Sequence, residues 1–150
     1  TMLGPWAHLA RKSLSDGSGI NPFTSVVTAA GYAGAVASSS RDLAIWARAL
    51  YAGSLLDPGT QAAMLDVSKS LSVGSKVPYG LGVMDVVLGG RMTVGHDGRL
   101  IGARATIRYL PDSGFTVAVT TNQDRIGPDT FGTALMNIAI ASWTAPPPVP

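Results

Sequence analysis

Ala103-Arg104-Ala105-Thr106-Ile107-Arg108-Tyr109-Leu110-Pro111-Asp112-Ser113-Gly114, followed by the apolar run Phe115 to Asn122, decides how this chain folds. Ala103, Ala105, Ile107 and Tyr109 alternate with Arg104, Thr106, Arg108 and Leu110, the period of a strand with one face buried. Arg104 and Arg108 fall on one face, which reads as solvated, with Arg104 within reach of a site rim. Pro111 to Gly114 is a turn, because proline presets its first dihedral and glycine permits its last. Phe115 to Asn122 is then the return strand. Upstream, Tyr79 to Leu88 and Arg91 to His96 flank Gly89-Gly90, a hairpin closed by a two-glycine turn. Gly95-His96-Asp97-Gly98 is expected where that strand ends, placing a ring nitrogen at a sheet rim. Downstream, Asp129 to Trp143 is apolar on most sides, which predicts a helix laid across a sheet face.

The first half of the chain reads as helices. Ser39-x-x-Asp42 is a capping pattern: the hydroxyl accepts an amide hydrogen and the carboxylate sits at the positive end of the helix. Leu43, Trp46, Ala47 and Leu50 follow at helical spacing as a buried stripe, and Gly53 ends it. Asp57-Pro58 starts a second helix with apolar positions Ala62, Ala63, Met64 and Val67, ending near Lys69. Trp46, Phe131 and Trp143 are expected in the core or covering the sheet. Residues 1–29 form a loop-rich lead-in, punctuated by Ser13, Asp16-Gly17-Ser18-Gly19 and Asn21-Pro22, with room for a short helix around Ala7 to Lys12. Residues 144–150 are a proline-rich tail. The order of elements gives an α+β class: helices, an antiparallel sheet, then a closing helix.

Composition narrows the chemistry. The 150 residues are 46% hydrophobic and 13% charged, the opposite of a disordered chain. There is no cysteine, which excludes thiol nucleophiles, disulfides and cysteine-held zinc. All nine acids are Asp, so the H-E-x-x-H zinc helix and the EF-hand glutamate are excluded as well. Net charge is +2 and no run of bases exceeds Arg11-Lys12, so no stripe exists for tracking nucleic-acid phosphates. His8 and His96 have no second histidine nearby, and neither a metal nor a cofactor is expected. The uncharged stretches 21–40 and 130–150 are interrupted by glycine, serine and proline, and neither reads as a membrane span. The first residues lack the charged start and apolar core of an export signal. Thr1 reads as a processing boundary rather than a terminal nucleophile.

No nucleophile motif is present. G-x-S-x-G does not occur, and no serine is followed by lysine three residues on, Ser72 and Lys76 missing by one position. Taken alone, His96-Asp97 reads as a polar turn, and Tyr79 as a packing residue inside a strand. Neighbouring motifs change the weight on His96.

Tyr32-Ala33-Gly34-Ala35-Val36-Ala37-Ser38-Ser39-Ser40-Arg41-Asp42-Leu43-Ala44-Ile45-Trp46 resembles the AGGLxSTxxDLaxW segment of the class C β-lactamase-like serine hydrolases. Leu55-Leu56 and Met64-Leu65 are similar to the helix that follows it. Tyr79-Gly80-Leu81-Gly82 resembles YGLGW, with Val83 for the tryptophan. Gly95-His96-Asp97-Gly98 through Gly102 is similar to GHxGxxxG, that family's counterpart of Lys-Thr-Gly. Tyr109 to Asn122 is similar to YLPdxGxxvvvltN. The likeness runs from about residue 30 to 143, with the motifs in the family's order.

The resemblance implies the C-terminal part of a β-lactamase/transpeptidase-like fold. Members include β-lactamases, D-alanyl-D-alanine carboxypeptidases and esterases, which act through a serine acyl-enzyme. By the same resemblance His96 is the candidate catalytic residue, in the place of the family's strand lysine. Asp97, Gly98 and Arg99 are candidate substrate-binding residues, the Arg99 backbone amide as an oxyanion donor. The family's Ser-x-x-Lys and Tyr-x-Asn are both missing, and Ile101 and Ala103 replace its usual proline and aromatic. The expected reading is therefore the C-terminal portion of a longer hydrolase, inactive alone, acting in intact form on a D-alanyl-D-alanine peptide, a β-lactam or a small ester. The rival is a non-catalytic peptidoglycan-binding or assembly module that retains the scaffold. A chance assembly of motifs on an unrelated domain would place Gly95 to Gly98 away from a strand end beside a cleft. The resemblance also implies an extracytoplasmic location. The strand 115–122 should carry an open edge that takes the missing segment or a second copy.

Overall fold

The computed structural model describes residues 30–142 apart from 35, 69, 71–76, 101, 124 and 126. The lead-in, the helix expected at 7–12, the Ser72 to Lys76 stretch, Ile101, Trp143 and the proline tail lie outside the described residues. After a short 3-10 turn at Gly31–Ala33, α1 (Ser40–Tyr51) and α2 (Pro58–Leu65) precede β1 (Met84–Leu88), β2 (Arg91–Leu100), β3 (Ala103–Leu110) and β4 (Phe115–Thr121), and α3 (Pro128–Ser142) closes the order.

Both helix starts follow the expected chemistry. Ser39 Oγ accepts the Asp42 amide at 3.1 Å and donates to Asp42 Oδ2 at 2.8 Å. Asp57 Oδ1 accepts the amides of Gly59 and Thr60 at 3.1 and 3.0 Å, with Pro58 in the first turn. The buried stripe differs from the expected one. Helix α1 meets the sheet along Ala47, Leu50 and Tyr51, and Trp46, a quarter-turn away, is 49% exposed. Helix α2 stops at Leu65, short of Lys69, and turns Met64 and Leu65 inward while Ala62 and Ala63 face solvent.

The sheet is a four-stranded antiparallel meander in the order β1-β2-β3-β4. Gly89 and Gly90 turn β1 into β2 at φ of 56° and 77°, a left-handed pair that other residues adopt reluctantly. The first strand is shorter than expected, since Tyr79 makes only an isolated bridge to Met84 and β1 proper begins there. The second is longer. Strand β2 continues to Leu100, so Gly95 to Gly98 lies within the strand and not at its end. Here glycine marks close packing rather than a turn: a Cβ on Gly95 would stand 1.9 Å from the Ile107 carbonyl oxygen.

Alternation then sorts the side chains. Val94 and Tyr109, cross-strand partners, join Ala47, Tyr51 and Val83 in a core beneath α1 and α2. The other face is covered by α3, where Gly132 lies against Thr106 and Met136 is fully buried. Arg108, expected to be solvated, is on that covered face and only 5% exposed. Phe131 also departs from expectation: α3 turns it outward, 51% exposed.

Candidate functional site

Cross-strand pairing places His96 opposite Ile107 on the face that carries Val94, beside the helices α1 and α2. Gly98, two residues on, shares this face, and Asp97 and Arg99 take the opposite one. The His-x-Gly spacing is thus what a strand needs to set a ring and an open backbone side by side. A Cβ at Gly98 would meet only Ala105, at 3.9 Å.

The partner of the ring is Tyr79. Its hydroxyl lies 2.7 Å from His96 Nε2, and the two rings meet edge to face with centroids 5.5 Å apart. Either group can donate in geometry alone, but a phenol is the stronger acid, which favours Tyr79 donating to Nε2 of a ring that carries its proton on Nδ1. Several backbone contacts hold Tyr79 there. Its amide donates to Ser70 Oγ at 3.0 Å, the Gly80 amide to the Val83 carbonyl at 2.8 Å, and the Leu81 amide to the Met64 carbonyl at 3.0 Å. A Cβ on Gly80 would fall 2.5 Å from that Met64 oxygen, so only glycine fits this close approach. The Tyr-Gly-Leu-Gly segment is a bracket anchored on the end of α2, and Val83, in the position of the resembled tryptophan, is fully buried as its root. Tyr79 itself is 37% exposed. Read as packing from the sequence, it is the group that completes the pair; its place in the Tyr-Gly-Leu-Gly motif was the available signal.

The pair sits beside free backbone. The last β1–β2 partners are Met84 and Gly95, so among the described residues His96 to Leu100 pair through β3 alone. Gly34 packs against the far end of this strand, where an added Cβ would be 3.3 Å from Leu100 Cδ1. A ring able to move a proton, a hydroxyl bonded to it and an unpaired strand edge therefore occupy one surface.

Asp97 is directed elsewhere. Its carboxylate accepts from Thr106 Oγ1 at 2.5 Å and from Arg108 Nη2 at 2.6 Å on the face covered by α3. The Arg99 side chain is exposed on that far face opposite Arg104, so Arg99 can serve the His96 surface only through its backbone. Arg104 is half-buried there, its Nε without a hydrogen-bond partner among the described residues. No group of three or more histidines and acids able to hold a metal exists among the described residues.

Buried Tyr51 and half-buried Asp85 carry raised pKa values. Burial pushes the Tyr51 hydroxyl up, against the opposing pull of the Arg108 charge; its ring stacks on Tyr109 at 6.3 Å. Desolvation likewise raises Asp85, whose Oδ1 has no hydrogen-bond partner among the described residues. Asp57 moves down, held by the Thr60 hydroxyl and then by the backbone amides of Thr60 and Gly59.

The antiparallel meander with helices on both faces, carrying a His-x-Gly strand opposite a tyrosine, matches a serine hydrolase-type scaffold in comparison with known proteins. The chain belongs to the β-lactamase family, whose pattern it matches over residues 4–140. Among solved structures it is similar to a D-stereospecific amidohydrolase from Streptomyces sp., at 31% identity and a TM-score of 0.56, over 67% of this chain and 29% of that one. It is also similar to SurE, at 27% identity and a TM-score of 0.55, over 75% of this chain and 28% of that one. The chain thus spans less than a third of each of these relatives. No curated protein matches it. Gly95 to Gly98 lies within a strand, yet the family is established, so position at a strand end does not separate true members from chance motifs.

Proposed function

We propose that this chain is the C-terminal portion of a serine hydrolase that cleaves amide or ester bonds through an acyl-enzyme, and that it is inactive by itself. The observation that carries the reading is the Tyr79 Oη to His96 Nε2 hydrogen bond at 2.7 Å, beside a strand edge that is unpaired among the described residues. In the intact protein a serine oxygen bonds to the substrate carbonyl carbon and loses its proton, and the leaving amine or alcohol departs with a proton. Water then hydrolyses the acyl-serine and restores the hydroxyl. Tyr79 and His96 form the wall that faces this centre. His96 orients a substrate carboxylate or passes a proton, and Tyr79 sets its tautomer and ring angle. The Arg99 amide is the oxyanion donor supplied from this strand, and Gly98 leaves the room to reach it. Asp97, the remaining substrate-binding candidate, contributes from behind the strand rather than by touching substrate.

The substrate class is a D-alanyl-D-alanine peptide, a β-lactam or a small ester, and the D-stereospecific amidohydrolase likeness supports the amide end of that range. A cell-wall substrate puts the intact protein outside the cytoplasm. Among the described residues no helix is long and apolar enough to cross a membrane.

The test is incubation with a fluorescent penicillin and a fluorophosphonate. The 150-residue chain should take no covalent label. The same chain produced together with the coding sequence upstream of Thr1 should label at a serine in Ser-x-x-Lys. Labelling of the short chain would overturn its inactivity. An upstream sequence lacking both Ser-x-x-Lys and Tyr-x-Asn would overturn the hydrolase in favour of the non-catalytic module.

A further inference from the structure

We propose that Asp97 is a positioning residue: from the far face of the sheet its carboxylate clamps β2 to β3 and thereby fixes His96 against Tyr79. The catalytic meaning of this clamp rests on the hydrolase reading; its structural content does not.

The clamp is built around the His96 position. Three consecutive cross-strand pairs are Gly95 with Arg108, His96 with Ile107, and Asp97 with Thr106. Asp97 Oδ1 accepts from Thr106 Oγ1, its direct partner, and Oδ2 accepts from Arg108 Nη2, a diagonal partner two residues along β3. Arg108 Nη1 then donates to the Ile107 carbonyl at 2.9 Å. The guanidinium therefore ties the carboxylate that follows His96 to the backbone of the residue opposite His96. On the other side of the ring, Gly95 lets the two backbones pack closely, with no room for a Cβ against the Ile107 carbonyl. The His96 main chain is held immediately before and immediately after.

The clamp is sealed on its β3 side, while the Asp97 side chain that reaches it is 34% exposed. Arg108 is 5% exposed and Thr106 1%, and Gly132 of α3 covers Thr106 so closely that a Cβ there would stand 2.9 Å from its methyl group. Removing the carboxylate leaves a buried guanidinium bonded, among the described residues, to the Ile107 carbonyl alone, a costly state that a shift of the two strands relieves. The side chain opposite, His96, has to keep a 2.7 Å contact with Tyr79, which is mounted on a different element. Small changes in strand spacing reach that contact directly.

The experiment is long-range 1H–15N NMR of the His96 ring in the 150-residue chain, at a pH above the ordinary histidine range, with His8→Gln to assign the two rings. The wild-type ring should show one dominant tautomer. Asp97→Asn should lose that signature and give the mixed tautomers of a free imidazole. Thr106→Val, a milder lesion that removes one clamp bond, should do so in part, and keeps the question open to measurement if Asp97→Asn fails to fold. Thr93→Val is the control: it removes a buried bond to the Val86 carbonyl on the same strand and face, and should lower Tm while leaving the ring unchanged. Asp97→Asn/Arg108→Gln, a neutral pair, should restore part of the wild-type signal. Wild-type ring signals in folded Asp97→Asn or Thr106→Val would overturn the clamp. If the ring responds as expected but the upstream-extended chain never labels with either probe, the clamp stands and the hydrolase reading falls.

Discussion

Tyr79 and His96 are seventeen positions apart, and the function argued for this surface depends on their meeting. Tyr79→Phe keeps the ring contact and removes only the hydroxyl. The chain should stay folded, as the residue is 37% exposed, while the His96 ring loses its dominant tautomer by NMR. In the upstream-extended chain the acylation rate should fall about 10²-fold, the lower range for a positioned proton-transfer group. Asp85 predicts a pH effect. Burial raises its pKa, so the unfolded chain ionises first as pH rises through the ordinary carboxylate range, and the folded state loses stability up to the folded pKa. At lower pH the group is protonated in both states and costs nothing. Asp85→Asn should therefore raise Tm modestly at neutral pH, and a pH series of melting curves should show the gain vanish in acid. A gain that grows toward acid would contradict the assignment.

At the scale of elements, the helix caps and the strand packing make separate predictions. Ser39→Ala removes the hydroxyl that accepts the Asp42 amide and should cost about 1 kcal/mol in chemical denaturation. Gly95→Ala forces a Cβ onto the Ile107 carbonyl and should cost about 3 kcal/mol, against little change for Gly98→Ala, where the same atom has room. These elements also show what could be read in advance. Ser39, Asp57-Pro58, Gly89-Gly90 and Pro111 to Gly114 act through bonds to their immediate neighbours, so their positions were legible in the sequence. Strand alternation separated Arg108 from Tyr109 but carried no information on what covers each face. Arg108 was therefore expected in solvent, although α3 and Asp97 enclose it. The same limit concealed Tyr79, whose partner arrives only when the bracket on α2 folds beside β2. The Gly95 to Gly98 motif reads in the sequence as a strand end, although β2 continues through it, with Gly95 in close backbone packing and Gly98 on an open surface.

At the scale of the molecule, a family match over residues 4–140 coexists with coverage of less than a third of two solved relatives. Among the described residues β4 pairs on one side only. The outer face of α3 shows Phe131, Leu135 and Ile138 at 51%, 48% and 65% exposure. An open edge beside an apolar helix face favours association. Sedimentation velocity should show mass rising with concentration, reduced by Thr120→Lys on the exposed edge strand; a stable monomer at high concentration would count against this. The central claim is that the face bearing Tyr79 and His96 is one wall of a serine hydrolase site completed from outside these 150 residues. Its most direct test is the acylation rate of the upstream-extended chain with a fluorescent penicillin or fluorophosphonate, before and after His96→Ala. The account predicts a drop of about 10²-fold with an unchanged fold. A rate equal to that of the unaltered chain would contradict it.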